Sequence, residues 1–191
     1  MVTVKPINKI AVHYICTHLR EIDKREIYPL FFFDDPEHLT AATMWAIEHG
    51  KGRIIWANGL PAALIGVHPE ANGPSCWRVF AFGTDNWKSA AYLCMRELRK
   101  LAREVIRETG AMRMHCDSIE EHTEAHSWIE RMGGEVESVM PHYGKNGETY
   151  RRYVWLRDRS AFMSDPNWKE YAACAEAEET KSNHLSHTLA R

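Results

Sequence analysis

The stretch from Met112 to Gly134 constrains the fold most, because it switches from one structural period to another without a break. Met112, Met114 and Cys116 alternate with Arg113, His115 and Asp117, the two-residue period of a strand with one apolar and one polar face. The overlapping run DSIEEHTEAHSWIERMGG, Asp117 to Gly134, carries helix signals. Ser118 and Glu121 form a capping box, Ala125, Trp128, Ile129 and Met132 recur at helical spacing, and Gly133 and Gly134 end the helix. A strand feeding an amphipathic helix needs a sheet whose faces are covered by helices.

The rest of the chain supplies that sheet. Met1 to Lys5 is a β-branched run closed by Pro6, and Ile7, Ile10, Ala11, Tyr14, Ile15, His18, Leu19 and Ile22 then keep a helical stripe. Pro29 to Asp34 reads as an apolar loop, and Asp35-Pro36 opens a helix through Leu39, Ala42 and Ala46 that stops at Gly50. Strands over Arg53–Ala57 and Ala62–His68 flank Asn58-Gly59, a hairpin signal, and Cys76–Phe82 adds a third, making an antiparallel meander. The helix Trp87–Thr109 turns Ala91, Cys94, Leu98, Leu101 and Val105 inward and Arg96, Lys100, Arg103 and Arg107 outward, ending at Gly110. Glu135–Met140 and Thr149–Leu156 are closing strands joined through Gly144 to Gly147. The fold class is therefore α/β (α+β): a mixed sheet, an antiparallel meander followed by strand, helix and strand, with helices on both faces. Residues 1–158 form the domain. Residues 159–191 are expected to hold a short helix opened by Asp165-Pro166, carrying Trp168, Tyr171 and Ala175, and then a flexible tail.

Composition removes several function classes. A formal charge of -2 offers no long-range pull on a phosphate backbone, so nucleic acid is not an expected partner. The five cysteines are scattered, odd in number and without a C-x-x-C pair, which indicates neither a disulfide framework nor a zinc ribbon and suits a reducing, cytoplasmic setting. No apolar run approaches a membrane span. His122 and His126 are four apart on a helix, but no third ligand and no H-E-x-x-H order accompany them, so they read as exposed helix histidines and no metal is expected.

The element order resembles that of the GNAT-type N-acetyltransferase superfamily over Met1 to Asp158. Ala125 and Gly133 match the alanine and glycine of that superfamily's N-x-x-A motif and later G-F, with His122 in place of the asparagine and Ile129 in place of the tyrosine. The run CWRVFAFGTDNWK, followed by a helix rich in Arg and Lys, is also similar to the acetyltransferase-like internal virion and head-assembly proteins of short-tailed bacteriophages. The resemblance implies acetyl-CoA as cofactor, lying between the fourth and fifth strands, with its pyrophosphate at the loop Gly83 to Ser89 and the following helix N-terminus. The residues it places there are Phe80, Ala81, Phe82, Thr84, Asn86, Trp87, Lys88 and Ser89, with His122 opposite. FGTDNWKSAA departs from the family's Q/R-x-x-G-x-G/A pattern, and Asp85 stands where it would cap the helix. The residues available to move the amine's proton are His68, Glu70, His115 and Asp117. The implied function is acetyl transfer to an amine on a degenerate cofactor loop. The alternative is a non-catalytic virion-assembly or host-interaction protein in the host cytoplasm or virion, which would take a protein partner.

Overall fold

The computed structural model describes residues 1–71 and 73–160, so the expected tail helix at Trp168 and Tyr171 lies outside the described residues. A mixed sheet of seven strands runs β1-β2-β3-β4-β5-β7-β6, with β1 at Val2–Lys5, β2 at Lys51–Ala57, β3 at Leu60–Glu70, β4 at Gly73–Gly83, β5 at Arg113–Ile119, β6 at Glu135–Met140 and β7 at Tyr150–Leu156. Every neighbouring pair is antiparallel except β4 and β5, as the meander and the following strand-helix-strand unit require. Asn58 and Gly59 join β2 to β3 with φ of 54° and 81°, two successive left-handed residues that match the sheet twist.

Strand β3 shows why both faces need helices. Ala63, Ile65 and Val67 pack under α4 (Trp87–Thr109), while Leu64 joins Ile54 and Phe82 beneath α1 (Lys9–Thr17) and α3 (Pro36–Glu48). A strand buried on both sides reads as a continuous apolar run, and LPAALIGV is one. Helix α4 completes the first core with Cys94, Leu98, Leu101 and Val105, each fully buried, and the two leucines each contribute about 1.5–3 kcal/mol. Gly110 then takes φ of 68° and donates its N–H to Ile106 O at 2.9 Å.

Three expectations are corrected. The single helix over Ile7 to Ile22 is two, α1 and α2 (Glu21–Ile27), because Arg20 leaves the helical path to donate its N–H to Gly83 O at 3.0 Å; Ile10, counted in the stripe, is exposed. The capping box does not form. Ser118 stays in β5, whose ladder with β7 continues to Ile119 opposite Tyr150, and α5 starts only at Thr123 and runs to Arg131. Strand pairing on that edge outweighs a two-bond cap. Asp85 does not cap α4 either, since the helix begins without a side-chain cap, and Thr84 instead takes the N–H groups of Asn86 and Trp87.

Candidate functional site

Strands β4 and β5 pair only at Cys76–Arg113, Trp77–Met114 and Arg78–His115. Beyond those three steps both strands continue but separate. Helix α2 holds them apart by a carboxylate to each end. Asp23 Oδ2 accepts the N–H of Gly83 at the end of β4 at 2.9 Å, and Glu26 Oε1 accepts the N–H of Ile119 at the end of β5 at 3.1 Å. Asp23 is buried and held by the Arg20 guanidinium at 2.9 and 2.7 Å; burial pushes its carboxyl above the usual range, against the pull of Arg20. Nothing in the sequence announces Asp23 and Glu26. They sit three apart on one helix, but their partners are 60 and 93 residues away.

A cavity of about 1250 Å³ fills the parting and reaches both faces of the sheet. On the α4–α5 face its wall includes the small or apolar side chains of Ala81, Ala91, Ala125 and Ile129. Trp87, one of the expected cofactor residues, is buried there: its ring meets Trp128 edge-on at 5.8 Å and carries the Arg20 guanidinium at 4.6 Å. Arg20 and Arg131 bring positive charge to this arm. Among the described residues, Ser118 Oγ and Trp128 Nε1 are buried on the cavity wall without a hydrogen-bond partner. Such groups cost folding energy unless something fills the space and bonds to them.

On the α1–α3 face the wall is aromatic and ionic. Trp45, His68, Phe80 and Phe82 form a ladder of rings with successive centroids 6.4, 6.1 and 6.1 Å apart. Phe80 and Phe82, expected at the cofactor, have their side chains on this opposite face with the α1–α3 core, whereas Ala81 faces α4. Beside the ladder runs a chain of charges: Glu70 to Arg78 at 2.6 Å, Arg78 to Asp117 at 3.0 Å, and Asp117 to Arg152 at 2.7 Å. Burial pushes the Asp117 and Glu70 carboxyls up, but the arginine bonds and charges outweigh it and hold both below the usual range. His68 donates from Nδ1 to its neighbour's carbonyl, Pro69 O, at 3.1 Å, and burial lowers its pKa, so the ring is neutral with its Nε2 lone pair free of that bond. His115 lies outside the cavity wall, between Cys76 Sγ at 3.7 Å and Glu70 at 3.4 Å; burial, then the charges of Arg78 and Arg152, push its pKa down to about 4.

His122 and His126, expected on the surface, are buried at 5% and 6% exposure, His122 against Glu26 of α2 and His126 against the end of β5 and the Tyr153 ring of β7. His126 Nε2 meets Ile119 O at 3.0 Å, and His122 Nδ1 meets Glu26 Oε2 at 2.8 Å where the two arms join. Asp23, Glu26 and His122 place ligand-type atoms within 4.8 Å of one another, but Arg20, Gly83 and Ile119 already occupy the carboxylates, so the group is a hydrogen-bond network. Of the expected catalytic residues, the cavity thus gathers His68, Glu70 and Asp117. Of the expected cofactor residues it gathers Phe80, Ala81, Phe82, Trp87 and His122, while Thr84, Asn86, Lys88 and Ser89 lie in the loop and first turn behind it.

No protein-family model matches the chain, and no curated protein matches it. Solved structures do. The ribosomal-protein-S18-alanine N-acetyltransferase of Escherichia coli superposes with a TM-score of 0.59 at 13% identity, over 82% of this chain and 94% of its own. yncA of Salmonella typhimurium, solved with its cofactor acetyl-CoA, gives 0.62 at 14% identity, over 84% and 96%. A GNAT-family acetyltransferase of Bacillus anthracis gives 0.61 at 15% identity, over 83% and 96%. The chain has the GNAT acetyltransferase fold, and among the described residues no helix is long and apolar enough to cross a membrane.

Proposed function

We propose that this GNAT-fold chain is an acyl-CoA-dependent N-acyltransferase, with the cofactor in the α4–α5 arm and the amine in the α1–α3 arm. The observation that carries this reading is one cavity passing through the sheet at the β4–β5 parting, with different chemistry on each side. Ser118 Oγ and Trp128 Nε1 would bond the polar groups of a pantetheine chain, and His122, oriented by Glu26, stands at the motif's asparagine position. The loop fits the pyrophosphate less well. The N–H groups of Gly83, Thr84, Asn86, Trp87 and Ser89 already donate within the chain and Asp23 holds Arg20, so anion binding falls largely to Arg131.

When bound, acetyl-CoA supplies an activated acetyl thioester. The remaining steps belong to the chain. An acceptor that binds as an ammonium first loses one proton to solvent, and His68 Nε2, neutral near pH 7 and on the amine's side of the cavity, takes the second as the amine attacks. Asp117 and Glu70 are poor bases because arginines hold their charge, and they orient Arg78 instead. His115 is buried behind Glu70 and takes no part. With Ile129 at the tyrosine position, protonation of the departing thiolate falls to solvent or to the protonated His68. The virion-assembly reading rests on the resemblance of CWRVFAFGTDNWK alone, and no observation on the described residues favours it.

The test is release of free CoA thiol on adding a primary amine to protein and acetyl-CoA. His68→Gln should lower kcat about 10²-fold or more and remove the acidic fall in rate, which in the native chain lies below the ordinary histidine value of about 6.5. Acetyl-CoA binding without thiol release for any amine would leave the chain a non-catalytic binder.

A further inference from the structure

The geometry points to the acceptor class: within the transferase reading, on which this rests, the α1–α3 arm is built for an arylalkyl primary amine, a single cationic head on an aromatic body. The ring ladder is the first reason. Trp45, His68, Phe80 and Phe82 line one wall in sequence, and an aromatic guest stacks on such a wall with no polar group left unpaired. Phe80 holds its place because Gly66 leaves it room; a Cβ there would lie 2.2 Å from Phe80 Cζ. At the mouth, Trp45 is 57% exposed and the Phe32 side chain is fully exposed, an apolar rim left open by the described residues.

Charge supplies the second reason. Among the described residues, the cationic groups on this face are already spent on carboxylates: Arg78 on Glu70 and Asp117, Arg152 on Asp117, and Lys145 on Asp34 at 2.5 Å. A carboxylated acceptor such as a free amino acid would find no cation to bind without breaking one of these pairs. A polyamine would bring several positive charges to a wall whose carboxylates are mostly neutralised. One ammonium suits the balance. Glu26, Glu70, Asp117 and Asp34 carry one more charge than Arg78, Arg152 and Lys145 together, and all but Asp34 and Arg152 line the cavity. Burying the aromatic body then supplies the affinity.

The experiment measures kcat/KM for 2-phenylethylamine, spermidine and glycine with saturating acetyl-CoA, for the full chain and for Trp45→Ala and Trp45→Phe. In parallel, acetyl-CoA and 2-phenylethylamine binding are each followed by calorimetry. 2-Phenylethylamine should be preferred by about tenfold or more. Trp45→Ala should raise its KM about five- to tenfold with kcat and acetyl-CoA affinity unchanged, and Trp45→Phe should recover most of the loss. Preference for spermidine or glycine, or an unaltered KM in Trp45→Ala, overturns the acceptor class while leaving the transferase reading intact. Failure to bind acetyl-CoA removes the transferase reading itself, and the acceptor class with it.

Discussion

The two arms of the cavity meet at Glu26 and His122 but are made in different ways. The α4–α5 arm is walled by residues that local period places: Ala91 on the inner face of α4, Ala125 and Ile129 on that of α5, Ala81 on the alternating face of β4. The α1–α3 arm is walled by a helix residue, Trp45, and by β3 and β4 side chains on the other face, closed by ion pairs between β3, β4, β5 and β7. The first is a slot that packing leaves open, and the second a polar and aromatic chamber assembled from long-range contacts. The two arms therefore differ in chemistry as well as in origin: one wall is small and apolar, the other aromatic and ionic.

The sharpest way to break this contrast is to remove the wedge common to both arms. Asp23→Ala leaves the Arg20 guanidinium and the Gly83 N–H without their partner in a buried site and should cost about 3–5 kcal/mol in urea denaturation. It should abolish acetyl-CoA binding together with acceptor turnover. A variant of native stability and affinity would mean that α2 does not hold the strands apart. Gly66→Ala acts on one arm alone. Its Cβ must push the Phe80 ring, so a loss of about 1–3 kcal/mol and a raised amine KM should accompany an unchanged acetyl-CoA affinity. Equal damage to both affinities would deny that the arms are separable.

Acid titration sharpens the ionic side of the contrast. The Asp117 and Glu70 carboxyls lie below their unfolded values near 4, so their contribution is fully present above that pH and is lost as pH falls through the lowered folded values. Stability should therefore drop below about pH 4. Asp117→Asn should flatten that part of the profile, and an unaltered profile would count against the charge chain. Asp85→Ala is expected to do least. With no side-chain cap on α4 its denaturation midpoint should stay native, whereas loss of a working cap would cost about 1 kcal/mol.

The same contrast explains what could be read from the chain beforehand. The long helix, Gly110 as its stop and the Asn58-Gly59 hairpin follow from period and turn chemistry, which act over a few residues, and from β2 onward the elements follow one another in the order expected. Alternation on β5 separated Met114 and Cys116, which pack with the α4 core, from His115 and Asp117, of which Asp117 lines the cavity. It could not show that Arg78 and Arg152 would lock Asp117, because both arrive from other strands. The Ser118 capping box was a sound local signal that lost to the β7 ladder. Asp23 and Glu26 carried no signal, since a carboxylate on a short helix looks solvated until the strand ends it bonds are known.

The central claim is that the parted strands hold an acyl-CoA thioester. Calorimetric titration of the purified chain with acetyl-CoA, with Asp23→Ala alongside, tests it most directly. The account predicts saturable one-to-one binding that Asp23→Ala abolishes. Absence of binding up to millimolar acetyl-CoA in the native chain would contradict it.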